Sequence, residues 1–238
     1  MTIHRFNFKK FQVNQDKCAM KIGTDGVLLG AWASLDKNPF SILDIGAGTG
    51  VLSLMIAQRS YAEIIDAIEI DDNAYEQCVE NFEQSPWADR LFCYHASLEE
   101  FAEEIEDKYD LIICNPPFYS ENYKTENPQR DLARFQDAMP FNQLLESVSK
   151  LLSSNGNFSV VIPFKEKDKF FELAKTNNLF PNKLLHVRGT PLSEIKRCLI
   201  MFSFEEKKLD INELVIENSR HKYTDDYREL TKKFYIKM

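Results

Sequence analysis

Residues 42–57 read ILDIGAGTGVLSLMIA. A short apolar run stops at three glycines separated by single residues, and a longer apolar run follows. Gly46, Gly48 and Gly50 let the backbone turn sharply and let a ligand lie against it with no Cβ in the way. The N-terminus of the helix predicted next favours negative charge. The stretch therefore reads as strand, glycine turn, helix. A plain turn uses the same residues, so the flanking sequence has to decide what the turn is for.

Outward from this stretch the pattern alternates. Strand-like runs fall at 41–45, 64–70, 91–95, 109–114, 157–163 and 197–204, with a weaker one near 183–188. Helical stretches lie between them at 51–59, 72–84, 98–106, 141–152 and 166–177. Strands apolar on both faces, alternating with helices, mean a mostly parallel α/β sheet covered on both sides. The two last strands are joined by a short polar stretch, which predicts a closing antiparallel hairpin. Residues 1–39 read as an N-terminal extension, a short strand pair plus a helix near 25–33. Residues 40–238 read as the main domain. Residues 119–139 are polar, with few apolar anchors, and long enough for a functional loop.

Two strand ends carry chemistry. Glu69 ends the second strand nineteen residues past Gly50. At that place a parallel α/β sheet grips the two hydroxyls of a ribose, although a carboxylate in water would also sit at a strand end. The fourth strand runs YDLIICNPPF over 109–118. Pro116 and Pro117 have no N–H for a sheet ladder, so the strand must stop there. Asn-Pro is also ordinary turn chemistry, but the set of groups suits a planar amine. An amino group on an aromatic ring or carbonyl has a delocalised lone pair. Two acceptors drawing on its two hydrogens bend it towards tetrahedral and free that pair. The Asn115 side-chain oxygen and the Pro116 carbonyl are candidate acceptors. The prolines hold the backbone still, and the Phe118 ring offers a face for a flat substrate.

Composition bounds the rest. The chain has 238 residues, 44% hydrophobic and 12% aromatic, values of a globular protein with a sizeable core. No basic-then-apolar leader opens the sequence, and its longest apolar runs are too short to span a bilayer, so a soluble, cytoplasmic protein is expected. The five cysteines show no C-x-x-C pair and read as reduced, mostly buried thiols. The four histidines are scattered, no cluster has metal-ligand spacing, and no metal is expected. A net charge of −8 excludes a protein that coats nucleic acid indiscriminately. Its distribution is uneven: residues 1–23 carry five Lys/Arg against one acid, and residues 219–238 carry six against three, in a chain whose middle is strongly acidic. Either both ends are solvated tails, or they meet and form one patch for a polyanion.

The G-x-G-x-G spacing departs from the dinucleotide fingerprint G-x-G-x-x-G and suits a ligand with an adenosine and no pyrophosphate. The pattern resembles the class I S-adenosylmethionine-dependent methyltransferases. The resemblance implies a Rossmann-like, seven-stranded, mostly parallel sheet with an antiparallel last strand. It implies that Asp44, Gly46, Ala47, Gly48 and Gly50 line the cofactor, with Asn115 near it, and that Glu69 holds its ribose. The acid that often follows the third strand in this class is replaced here by Ala96-Ser97, leaving the Ser97 hydroxyl to meet the adenine. NPPF matches the [N/D]PP[Y/F] signature of amino-methyltransferases, whose targets include adenine N6, guanine N2 and the glutamine amide.

Four further stretches narrow the group: DKCAMKIGTDGVLLGAW at 16–32, SPWADRL at 85–91, QRDLARF at 129–135 and LTKKFYIKM at 230–238. Together they resemble the bacterial tRNA1(Val) (adenine-37-N6)-methyltransferases over nearly the whole chain. That resemblance implies that Thr24, Asp25 and Gly26 close over the methionine end of the cofactor. On composition alone Thr24 or Asp25 would cap the following helix. It also implies a tRNA anticodon stem-loop as partner, whose unpaired bases can be splayed into a pocket. Candidate phosphate contacts are Arg5, Lys9, Lys10, Arg130, Arg134, Lys232 and Lys233. A monomer is expected. Two enzyme readings stay open beside this one, a protein N5-glutamine methyltransferase and an N2-guanine RNA methyltransferase, as does a cofactor-binding module without catalysis. The glutamine enzymes usually carry a helical N-terminal domain, and only about forty residues precede Gly46 here.

Overall fold

The computed structural model describes residues 5–117 and 139–237. After a hairpin of β1 (Arg5–Asn7) and β2 (Gln12–Asn14) comes α1 (Thr24–Trp32). Then follow β3 (Ser41–Ile45), α2 (Val51–Arg59), β4 (Ile64–Glu69), α3 (Asp72–Glu83), β5 (Leu91–His95), α4 (Leu98–Glu104) and β6 (Tyr109–Cys114). The second half runs α5 (Phe141–Leu151), β7 (Leu152–Pro163), α6 (Lys167–Thr176), β8 (Phe180–Arg188), β9 (Ile195–Ser203) and β10 (Asp210–Val215). A small hairpin, β11 (Glu217–Ser219) and β12 (Lys222–Tyr223), precedes α7 (Asp225–Thr231).

The main sheet has the order β10-β8-β9-β7-β6-β3-β4-β5. β9 is antiparallel to both β7 and β8, and the other neighbours are parallel. The expected parallel sheet with a late antiparallel strand is present, and β8–β9 is the predicted hairpin. The sheet has eight strands where seven were expected. The eighth, β10, was invisible in sequence because its segment DINELV is exposed at four of six positions, so it lacks a buried strand's apolar run.

The strands are apolar on both faces because two cores need them. Period-two alternation sends Ile42, Leu111 and Ile113 to one core and Leu43, Ile45, Ile112 and Cys114 to the other. The first core holds α1, α2 and the N-terminal hairpin through Phe8, Phe11 and Val13, while the second holds α5 and α6. The extension at 1–39 is thus built into the sheet's cover. Cys18, Cys78, Cys114 and Cys198 are buried, and all five cysteines are free. Among the described residues no helix is long and apolar enough to cross a membrane.

Candidate active site

Strand register builds the site. Ile45 of β3 pairs with Cys114 of β6 on one side and with Ile68 of β4 on the other. The next residue on each strand is therefore Gly46, Asn115 and Glu69, standing in one row at the carboxyl edge. With strands about 4.8 Å apart, the outer two are separated by roughly 10 Å with the glycine turn between them. Open α/β sheets bind their ligands at this edge.

The turn is fixed from below. Gly46 N–H and Ala47 N–H both donate to the Ile68 carbonyl at 3.0 Å, and Gly50 N–H donates to the Ala47 carbonyl at 2.8 Å. Gly46 and Gly48 have φ of +71° and +55°, a region costly to residues with a Cβ. A Cβ built on either would meet nothing within 4 Å, so open space borders the turn. Gly50 differs: its φ is +74°, and an added Cβ would lie 2.6 Å from Phe82 Cε1 and 2.9 Å from Cys78 Sγ. It lets α2 pack closely on α3. Under the turn, the buried Asp44 Oδ2 accepts from Ser53 N–H at 3.1 Å and Ser53 Oγ–H at 2.7 Å, while Oδ1 has no partner. Burial raises its carboxyl to about 7, against the two Ser53 bonds and with some help from the negative charge of Glu69.

Glu69 is half-buried and oriented by backbone. Its Oε2 accepts from Gly48 N–H at 2.7 Å, and its Oε1 accepts from Ile70 N–H at 2.9 Å and Asp71 N–H at 3.0 Å. A carboxylate has about four acceptor positions, so this one keeps capacity for a further donor. An oriented carboxylate beside an open glycine turn fits an adenosine-bearing cofactor such as S-adenosylmethionine.

The N-terminal segment forms a second wall. Asn81 of α3 ties it down, with Oδ1 accepting from Asn14 N–H and Nδ2 donating to the carbonyls of Asn14 and Thr49. Lys17 N–H donates to Gln77 Oε1. Cys18 is buried near Glu69, and burial, followed by that negative neighbour, pushes its thiol up to about 12. The segment ends on α1, whose first turn covers Asn115: a Cβ on Gly26 would lie 3.7 Å from Asn115 Nδ2. Asp25 pairs with Arg197 of β9 at 2.8 Å, fixing α1 to the far side of the cleft. The cap expected of Thr24 or Asp25 is not formed. Gly23 is the N-cap and makes no side-chain cap bond, which leaves Thr24 exposed and Asp25 half-buried on its pair with Arg197.

The remaining expected residues fall at several places. The Ser97 hydroxyl joins a capping box, donating to Glu100 Oε2 and accepting from Glu100 N–H; it begins α4 and keeps one lone pair. The S-x-x-E spacing was readable in sequence. The two basic ends do meet: Phe8 bridges Tyr235, Lys9 N–H donates to the Phe234 carbonyl at 2.8 Å, and Lys9 Nζ donates to the Lys232 carbonyl at 2.6 Å. Their junction lies away from the glycine turn. Gln58 Nε2 donates to the Lys233 carbonyl, and Gln58 lies about 10 Å down α2 from its first residue. Lys10 shares the turn between β1 and β2, and Lys232 pairs with Glu229. Arg5 is nearer the site, bonded to Gln12 and Asn14. Phe118, Arg130 and Arg134 lie outside the described residues. Pro116 is buried and Pro117 half-buried at the expected strand end.

Two residues beside the cleft drew no notice in sequence. Arg197 has no local signal, because its partner lies 172 positions away. Ile70 is 63% exposed immediately after Glu69, and the signal was an apolar residue one place beyond a strand that already ends on charge.

The description "Methyltransferase small domain" matches residues 26–176. Among curated proteins, a tRNA1(Val) (adenine(37)-N6)-methyltransferase of Flavobacterium johnsoniae is 64% identical over 98% of this chain and 100% of its own length. Proteins of the same name from Bacteroides fragilis and Pseudoalteromonas translucida are 44% and 40% identical, each over 98% of this chain and 98% and 99% of their own lengths. Among solved structures, a predicted O-methyltransferase of Agrobacterium tumefaciens superposes with a TM-score of 0.68 at 17% identity, over 88% of this chain and 96% of that one. A ribosomal protein L11 methylase of Lactobacillus delbrueckii subsp. bulgaricus gives 0.53 at 16%, over 76% and 77%. These structures share the fold, and the sequence matches go further: the chain belongs to the tRNA1(Val) (adenine(37)-N6)-methyltransferase family.

Proposed function

We propose that this enzyme transfers a methyl group from S-adenosylmethionine to the N6 amino group of adenine 37 in the anticodon loop of tRNA1(Val). The observation that carries the reading is the row Asn115–Gly46–Glu69, an amine holder and a ribose holder on either side of an open glycine turn. When bound, the cofactor supplies an electrophilic methyl group. The chain does the rest. Glu69 accepts from a ribose hydroxyl with the acceptor position that its three backbone donors leave free. Ile70 gives an apolar face to the adenine of the cofactor. Asn115 Oδ1 and the Pro116 carbonyl take the two hydrogens of the target amine and turn its lone pair outward. Pro116 and Pro117 keep these acceptors from moving, which removes reorganisation from the barrier. Gly26, Asp25 and Thr24 close the cleft above Asn115, and the Asp25–Arg197 pair holds that lid to the sheet.

The two other amino targets are not favoured. Relatives named for the adenine reaction match the chain from end to end, and the segment before Gly46 is a hairpin and one helix in place of a helical domain. The test is to incubate the protein with labelled cofactor and total tRNA, then digest to nucleosides. Labelled N6-methyladenosine is the expected product. N2-methylguanosine, or label only in protein, would overturn the assignment.

A further inference from the structure

The carboxyl edge of the sheet is electrically divided. On the β4–β5 side, segments 69–72 and 97–100 contain five acids and no base. On the other side, segments 163–169, 186–197 and 217–223 contain eight Lys/Arg against four acids. Asn115 stands between the two halves.

The basic half belongs to this edge by topology. β7 ends there at Pro163, β8 ends there at Arg188, and the antiparallel β9 begins there at Ile195. β10 runs parallel to β8, with Val215 paired to Arg188. The chain then continues past the edge: Ile216 N–H donates to the Arg188 carbonyl and Glu217 N–H to the Gly189 carbonyl. The β11–β12 hairpin rises from there, and Thr224 N–H returns to the Ile216 carbonyl. Its turn carries Arg220, His221 and Lys222, all exposed. Several cations of this half are already matched, Arg188 with Glu213, Arg197 with Asp25 and Lys167 with Asp168. Lys196, Arg220 and Lys222 are exposed and have no ion pair among the described residues.

We propose that this half of the edge, with the β11–β12 hairpin as its outer wall, holds the phosphates of the tRNA anticodon stem while the loop base enters at Asn115. The inference rests on the tRNA reading above and deepens it by locating the RNA. β8 lies three strands from β6, about 14 Å away, so the cations sit beside the pocket without filling it. Phosphates avoid the acidic half for the same electrostatic reason that they approach the basic one, which fixes the side from which the stem arrives. The lysines of the joined chain ends lie elsewhere, and part of their capacity is spent on holding those ends together.

The experiment compares wild type, the triple variant Lys196→Glu/Arg220→Glu/Lys222→Glu, and Lys232→Glu/Lys233→Glu. Affinity for a tRNA1(Val) transcript is measured between 50 and 200 mM salt, about the range in which phosphate contacts dominate. S-adenosylhomocysteine binding serves as the control for folding. The triple variant should bind tRNA about tenfold or more weakly at low salt, and its log–log salt slope should flatten by roughly two units, at about 0.7–0.9 per lost contact. Its KM for tRNA should rise with kcat within about twofold, and the terminal variant should stay within about threefold of wild type in affinity. If the triple variant does not bind the control ligand, glutamine at the same three positions gives the same comparison with a smaller slope change. Wild-type affinity and slope in the variants of these three residues would overturn the proposal, as would a loss confined to the terminal variant. Wild-type protein that methylates tRNA while the triple variant binds unchanged overturns only this surface. Wild-type protein that neither binds nor methylates tRNA overturns the functional reading with it.

Discussion

The proposed mechanism gives Asn115 and Glu69 opposite duties, and single substitutions should separate them. Asn115→Ala removes one oriented acceptor from the amine, so methyl transfer should fall by about 10²–10³-fold with S-adenosylhomocysteine affinity within a few fold of wild type. Glu69→Ala should weaken that affinity by roughly 1.5–3 kcal/mol by calorimetric titration, the range for hydrogen bonds to a charged group. It should also lower the melting temperature, because Gly48, Ile70 and Asp71 lose their common acceptor. Asp44 bears on stability. An unfolded chain ionises this carboxyl near its ordinary value of about 3.9, whereas burial delays it in the fold to about 7. Between those values the unfolded state holds fewer protons, so stability falls as pH rises through the window, by at most about 1.4 kcal/mol per unit, and the full cost stands above pH 7. Asp44→Asn stays neutral, so urea unfolding of the ligand-free variant should gain on wild type from pH 4.5 to 8. A constant difference would mean that Asp44 ionises as an ordinary carboxylate. At this scale the sequence was legible where a residue's place follows from its own strand end, as with Glu69 and Asn115. It was silent on Arg197, whose meaning depends on a partner 172 residues away.

The glycine turn shows how one element divides its work among similar residues. Gly46 borders open space and Gly50 borders Phe82 and Cys78. Gly50→Ala should therefore cost folding stability, about 1–3 kcal/mol from overpacking and more from the left-handed backbone. Gly46→Ala should cost only about the 1–2 kcal/mol of backbone strain while weakening cofactor binding by a larger factor. Paired denaturation and titration of the two variants would reveal the contrast, and equal effects on both quantities would contradict it. In sequence the three glycines looked alike, because what distinguishes Gly50 is the α2–α3 contact. α2 itself was legible to the residue, being an apolar helix between two buried strands. β10 was not, because an edge strand half in water has no apolar pattern to read. Ser97 was read through a class resemblance as an adenine partner, while the local rule of a serine three places before a glutamate described its bonding.

At the scale of the molecule, the chain ends are joined. Phe234 is 1% exposed, in the same core as Phe8, Phe11 and the buried residues of α1 and α2. Phe234→Ala should destabilise the protein by about 3–5 kcal/mol, measured by urea unfolding, since a large side chain leaves a cavity between two distant segments. A loss below about 1 kcal/mol would show that the C-terminal segment is not part of the core. The basic composition of both ends was plain in sequence, and so was their possible meeting. Their place at the lower end of α2 was not, because charge counts carry no direction. In the proposed reaction the edge of this sheet holds the 6-amino group of adenine 37 on Asn115 and Pro116. The most direct measurement compares methylation of two tRNA1(Val) transcripts, one with adenosine at position 37 and one with purine riboside, which lacks only that amino group. The account predicts equal binding, methylation of the first and none of the second. Equal methylation of both would place the methyl group on another atom and contradict the claim.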